Sequence, residues 1–161
     1  MSAALYAGID PGKEGAICLL DADLKIVKYT LLRDCEPRYY FSQEKVQFVF
    51  IEKAQTMGRE SAKAAFSYGR AYGYLCGQLA DLPMKIYYVP PAVWSEAIHV
   101  MSPYTFNNTK ECSLFCARKI WPEESFLATP KSRKAHDGIV DAALIAYYGA
   151  GQLKKGVKYG A

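Results

Sequence analysis

Four acidic residues fall where metal-assisted phosphate chemistry needs them. Asp10 ends an apolar run that begins at residue 5, and Glu52 ends another that begins at residue 46. Asp137 and Asp141 are four positions apart, so in a helix they stand one turn apart on the same face. Two acids placed this way repel, and a divalent cation is the simplest counter-charge; Mg²⁺ and Mn²⁺ favour such hard oxygen ligands. Four carboxylates exceed what a single Mg²⁺ site takes from a protein and suit a pair of ions about 3.5 to 4 Å apart. Such a pair drives in-line displacement at phosphorus, one ion activating water and the other stabilising the departing oxygen, and phosphodiester hydrolysis is the natural reaction. Taken singly, each acid reads as an ordinary turn, strand-end or helix-cap residue. Their joint order is far more restrictive.

The elements that must hold these acids can be read from periodicity. Residues 5–10, 16–20 and 25–32 read as three strands joined by Pro-Gly and Asp-Ala-Asp turns, an antiparallel meander. A polar, aromatic connection with Arg38, Tyr39 and Tyr40 leads to a buried strand over 46–51. Residues 59–82 have helical spacing, with Ser61, Ala65, Gly69, Gly73 and Gly77 at strict four-residue intervals. Mid-helix glycines cost roughly 0.8 to 1 kcal/mol each relative to Ala, so close approach is expected, either to the sheet or to the same helix of a second subunit. A further strand over 84–89 stops at Pro90 and Pro91, and a short amphipathic piece spans 93–98. Residues 109–120 read as a helix with Thr109 as N-cap, and a polar loop over 123–135 precedes a last helix from near His136 to about Gln152. The order predicts an α/β fold, a five-stranded mixed sheet of three meander strands and two parallel ones flanked by helices, with the strands from residues 5, 46 and 84 parallel in its middle. In open sheets of this kind ligands sit outside the carboxyl ends of the strands, where Asp10 and Glu52 lie.

At 161 residues and 51% hydrophobic content, one domain is expected, over 1–153, followed by a basic tail at 154–161. No apolar run approaches the roughly 18 residues of a membrane span and no leader pattern opens the chain, so a cytoplasmic protein with no membrane partner is expected. Five scattered cysteines suit a reducing compartment; Cys112 and Cys116 share a helix face and read as core. Net charge is only +4, but Lys131, Arg133 and Lys134 cluster before the last acidic pair, and Lys154, Lys155 and Lys158 load the tail. Together with thirteen tyrosines, this distribution suits phosphate contact and base stacking, and equally a solvated surface over core tyrosines.

The segments Gly8-Ile9-Asp10-Pro11-Gly12 with Gly15-Ala16, Phe50-Ile51-Glu52, and His136-Asp137-Gly138 leading to Asp141-Ala142-Ala143-Leu144-Ile145-Ala146 carry a resemblance. So do Gly69-Arg70-Ala71-Tyr72-Gly73, Val89-Pro90-Pro91-Ala92-Val93-Trp94 and Thr109-Lys110. Over nearly its whole length the chain resembles the RuvC-type Holliday-junction resolvases, phage-encoded members most closely, within the ribonuclease-H-like superfamily. The resemblance implies a homodimer, paired through the helix of residues 59–82, that nicks a four-way DNA junction symmetrically with two Mg²⁺ or Mn²⁺ ions per active site and no small-molecule cofactor. It implies a bacterial or phage-infected cell as the setting. Asp10 would bridge both ions, Glu52 and Asp137 would hold the leaving-group side, and Asp141 the water side. Some members carry the last motif three residues apart, whereas position 138 here is Gly, so His136 stands beside Asp137 as a candidate to position water. Glu14 departs from the small residue expected in the first turn.

Lys110, Lys131, Arg133 and Lys134 are candidates for phosphate contact, as are Lys53 and Arg59 in the loop after Glu52. Met57, Phe66 or Tyr68 would wedge the junction centre if not core residues, and core packing is the commoner role. Two other classes compete. Another ribonuclease-H-like nuclease, acting on RNA/DNA hybrids or as an exonuclease, would use a similar cluster. The Gly-x-Asp-x-Gly turn also occurs in actin-like nucleotide-binding proteins, which need two such lobes where this length supplies one.

Overall fold

The apolar N-terminal segments, buried almost throughout in the first two strands, and the turn chemistry between them build the antiparallel part of the sheet. The computed structural model describes residues 5–56 and 58–157. Strands β1 (Tyr6–Asp10), β2 (Ala16–Leu20) and β3 (Ile26–Leu31) form the antiparallel meander. After a helix α1 (Pro37–Ser42), β4 (Phe48–Glu52) pairs parallel with β1, and β5 (Lys85–Val89) pairs parallel with β4. The order is β3-β2-β1-β4-β5, so β1 and β4 are central while β5 is an edge, not the middle strand expected. Only Val89 of its five residues is buried, which matches that edge position.

Helix α2 (Ala62–Leu79) connects β4 to β5, and α3 (Pro91–His99), α4 (Thr109–Ile120) and α5 (Asp137–Lys154) follow. One face of the sheet, with Ala7, Ile9, Val49 and Ile51, packs on Leu75 and Leu79 of α2 and Phe41 of α1. The other face, with Cys18, Leu20 and Phe50, packs on α3, α4 and α5. Cys112 and Cys116 are buried in this second core, as expected, and the Cys116 thiol donates to the Ile98 carbonyl.

Several local expectations shift. The connection expected around Arg38 to Tyr40 is helical, because Pro37 occupies the first turn, where its missing N–H costs nothing. Pro91 does the same for α3, so the Pro-Pro pair both ends β5 and starts a helix. Asn108, not Thr109, caps α4, its Oδ1 accepting the Glu111 N–H at 2.9 Å. Lys154 is the last residue of α5, and its Nζ donates to the Ala22 carbonyl at 2.6 Å; Lys155 is exposed and Lys158 lies outside the described residues. Among the described residues no helix is long and apolar enough to cross a membrane.

Glycine matters most where α5 crosses β1. A Cβ at Gly8 would run into the Ala142 carbonyl and the Ala146 backbone, and one at Gly149 would run into the Phe50 ring. Helix and sheet therefore approach at backbone distance, with Ala142, Ala146 and Gly149 as the contact row. The glycines of α2 behave differently. Nothing stands within 4 Å of a Cβ built at Gly69, Gly73 or Gly77, so the close approach to the sheet considered for them does not occur.

Candidate active site

Parallel pairing of β1 and β4 matches Ile9 with Ile51, which brings the next residues, Asp10 and Glu52, side by side at the carboxyl edge. Asp10 is oriented by its own turn, its Oδ1 accepting the Gly12 N–H at 3.0 Å. On the other flank the close crossing of α5 over β1 carries the first turns of that helix above Asp10. Gly138 lies so near that a Cβ there would collide with the Glu14 carbonyl and come within 3.3 Å of Asp10 Oδ2. The start of α5 is pinned from outside: fully buried Phe126 adopts φ 55° and its carbonyl accepts the His136 N–H at 2.8 Å. A left-handed non-glycine residue costs of order 1 to 3 kcal/mol, so this turn is held by its surroundings.

Asp10, Glu52 and Asp141 form the electrostatic centre. Burial pushes all three carboxyls above the usual carboxylate range. For Asp141 burial is reinforced by the charges of Asp10, Glu52 and Asp137, and its pKa is pushed up to about 8. Asp10 raises the proton affinity of Glu52, and both raise that of Asp141, so these carboxylates in a half-buried cleft form a donor set in want of positive charge. The Trp94 indole N–H donates to Glu52 Oε2 at 2.7 Å and partly offsets that burial. Trp94 itself is buried, edge-on to His99, whose Nε2 is 3.0 Å from the Ser113 hydroxyl.

Asp137 stands apart from the other three. It is exposed, and its Oδ2 accepts from Lys110 Nζ at 2.6 Å. Asp10, Glu14, Lys110, His136, Asp137 and Asp141 share one open depression. Among the described residues no three His, Cys, Asp or Glu side chains are close enough in these rotamers to ligate one ion. The chemistry of the donor set nevertheless fits a hard divalent cation, because all the groups are carboxylate oxygens and Asp10, Glu52 and Asp137 oppose the ionisation of Asp141.

Glu14 has a definite place. Its Oε2 accepts from Arg33 at 3.0 Å and lies 3.9 Å from His136 Nε2. His136 Nδ1 is buried with no hydrogen-bond partner among the described residues. The expected phosphate contacts divide into three groups. Lys110 sits in the first turn of α4 against Asp137. Lys131, Arg133 and Lys134 are exposed on the loop leading into α5, and Lys53 and Arg59 are exposed on the loop after β4. Phe66 is 75% exposed and so is not a core residue, Tyr68 is half-buried beside Tyr72, and Met57 lies outside the described residues. Trp94 is the residue whose role sequence reasoning missed. It lies in a motif that carried the resemblance, but only the parallel order of β4 and β5 puts its indole against Glu52.

No family model and no curated protein sequence matches the chain. Solved structures do. Thermus thermophilus RuvC in complex with a Holliday junction substrate superposes with a TM-score of 0.62 at 18% identity, over 94% of this chain and 96% of that one. A second T. thermophilus RuvC structure gives 0.58 at 17% identity, over 95% and 97%. The chain has a RuvC-type ribonuclease-H-like fold. In that RuvC-type frame the meander and the two parallel strands form one five-stranded mixed sheet, and its carboxyl edge carries Asp10 and Glu52.

Proposed function

We propose that this chain is a metal-dependent endonuclease that resolves four-way DNA junctions by phosphodiester hydrolysis, nicking symmetrically as a homodimer. The observation that carries this reading is the convergence of Asp10, Glu52 and Asp141 from two adjacent parallel strands and one crossing helix. The RuvC-type fold supports it, since one neighbour of that fold was solved with a Holliday junction.

Asp10, Glu52 and Asp141 would hold Mg²⁺ or Mn²⁺, with Asp137 completing a two-ion set. Such ions supply a lowered water pKa and charge stabilisation at phosphorus. The protein's own groups do the rest. Trp94 fixes one oxygen of Glu52, so that carboxylate presents a single orientation. Lys110 neutralises Asp137, and on engagement of a phosphate its ammonium is the nearest group to share between the two anions. His136, 3.9 Å from Glu14, would help to position a water. Lys131, Arg133, Lys134, Lys53 and Arg59 supply cations for the arms of the substrate. The outward α2 face with Gly69, Gly73 and Gly77 has no occupant among the described residues and suits close packing against a second copy.

The test is cleavage of labelled four-way junction, linear duplex and RNA/DNA hybrid, with Mg²⁺ or with chelator. Junction should be cut preferentially and only with the metal; equal cutting of duplex removes the resolvase reading, and preferred cutting of the hybrid assigns a ribonuclease. Asp10→Asn should abolish cleavage while junction binding in chelator persists. Loss of both would make Asp10 structural.

A further inference from the structure

Beside the carboxylates an open groove runs between the β1–β2 turn and α2. Gly12 and Lys13 line it from the turn, and Tyr68, Arg70 and Tyr74 line it from the helix. Its near end touches the active site. Gly12 is the residue whose N–H orients Asp10, and the Tyr68 hydroxyl lies within the electrostatic reach of Glu52 and Asp10. At the far end the exposed Tyr74 hydroxyl donates to Glu36 Oε1 at 3.1 Å, which restrains the ring.

Charge and shape select the occupant. Lys13 and Arg70 are exposed, neither has an ion-pair partner among the described residues, and no carboxylate side chain lines the groove. The walls otherwise present tyrosine faces and small side chains. Six residues of helix separate Tyr68 from Tyr74, about 9 Å along the axis. That distance is the span of roughly two to three stacked bases. Cations that track a backbone, interleaved with flat aromatic faces, are the recurring chemistry of single-strand binding. Gly69, Gly73 and Gly77 do not line the groove.

We propose that this groove binds an unpaired segment of DNA, two or three nucleotides long, with Lys13 and Arg70 on phosphates and Tyr68 and Tyr74 stacked on bases, and feeds that strand to the carboxylates. The source of such a strand rests on the junction reading, because pairs at a crossover can lose stacking on one side and so cost less to open than pairs inside an intact duplex.

The experiment uses the full chain in chelator with a thymidine octamer carrying one 2-aminopurine, read by anisotropy and by fluorescence quenching. Lys13→Ala and Arg70→Ala should each weaken binding several-fold and each reduce the salt slope by about 0.7. Tyr68→Leu and Tyr74→Leu should weaken it about tenfold, abolish quenching and leave the salt slope unchanged. Tyr68→Phe and Tyr74→Phe keep the ring and should retain both signals. Wild-type failure to bind the octamer, equal competition by a duplex octamer, or Phe variants as weak as the Leu variants would each overturn the groove. Binding needs no cleavage, so the two readings separate. A wild type that cuts no junction while the groove variants lose octamer binding sinks only the resolvase reading. A wild type that resolves junctions while all the variants bind normally sinks only the groove.

Discussion

Trp94 and Asp141 show how single side chains set the chemistry of this cleft. The Trp94 indole gives Glu52 a directed donor, and a hydrogen bond to a charged group contributes about 1.5 to 3 kcal/mol. Trp94→Phe removes the donor and keeps most of the packing. Cleavage should fall about tenfold or more, and the Mg²⁺ concentration for half-maximal activity should rise, with little change in melting temperature; an unchanged metal requirement would show that the bond does not orient Glu52. Asp141 predicts a pH effect of defined sign. Its pKa rises from 3.8 to about 8 on folding, so between those values the folded chain holds a proton that the unfolded chain has released. Without metal, therefore, the contribution of this proton to stability is full at low pH and is lost as pH rises towards 8. Thermal melts in chelator should show melting temperature falling from pH 5 to pH 8, and Asp141→Asn should flatten that fall.

At the scale of elements, the crossing of α5 over β1 decides whether the acids meet. The helix comes this close because Gly8, Ala142, Ala146 and Gly149 keep bulk out of the contact, and because Gly138 lets the first turn lie on the Glu14 carbonyl. Gly138→Ala should cost about 1 to 3 kcal/mol, as overpacking generally does. It should also depress cleavage more than stability alone explains, since relieving the clash moves either the helix that carries Asp141 or the turn that orients Asp10. Denaturant titration and metal-dependent cleavage measured on the same sample check this. A fully active Gly138→Ala would show that the site tolerates a looser crossing. The Asp137–Lys110 pair also acts between elements, tying α5 to α4, but it is exposed and its weight in stability is small.

At the scale of the molecule, α2 is the element the fold leaves unfinished. It buries Leu75 and Leu79 against the sheet and exposes Phe66 together with Gly69, Gly73 and Gly77. Since no described residue lies within 4 Å of a Cβ built at Gly73, Gly73→Leu should not lower the stability of an isolated subunit. Light scattering should give twice the chain mass for wild type and the single mass for Gly73→Leu. A wild-type monomer would remove the homodimer from the proposal.

Much of this was legible in one dimension. The strand ends at Asp10 and Glu52, the helix-face pairing of Asp137 with Asp141 and the meander all follow from periods of 2 and 3.6, which are local properties of the chain. Turn chemistry is equally local, which is why the sheet class was read correctly, with α1 missed and the cap of α4 displaced by one residue. What local pattern cannot encode is relative position. Only tertiary structure decided that β5 is an edge, that Glu52 faces Trp94 across 42 residues, and that Asp137 turns outward to Lys110 while Asp141 turns in. It also decided that the α2 glycines face away from the sheet, because a small-residue row fits any close neighbour and the sequence does not say which. Sequence thus named the four carboxylates, while packing separated three buried ones from the fourth, through the burial that raises their proton affinity.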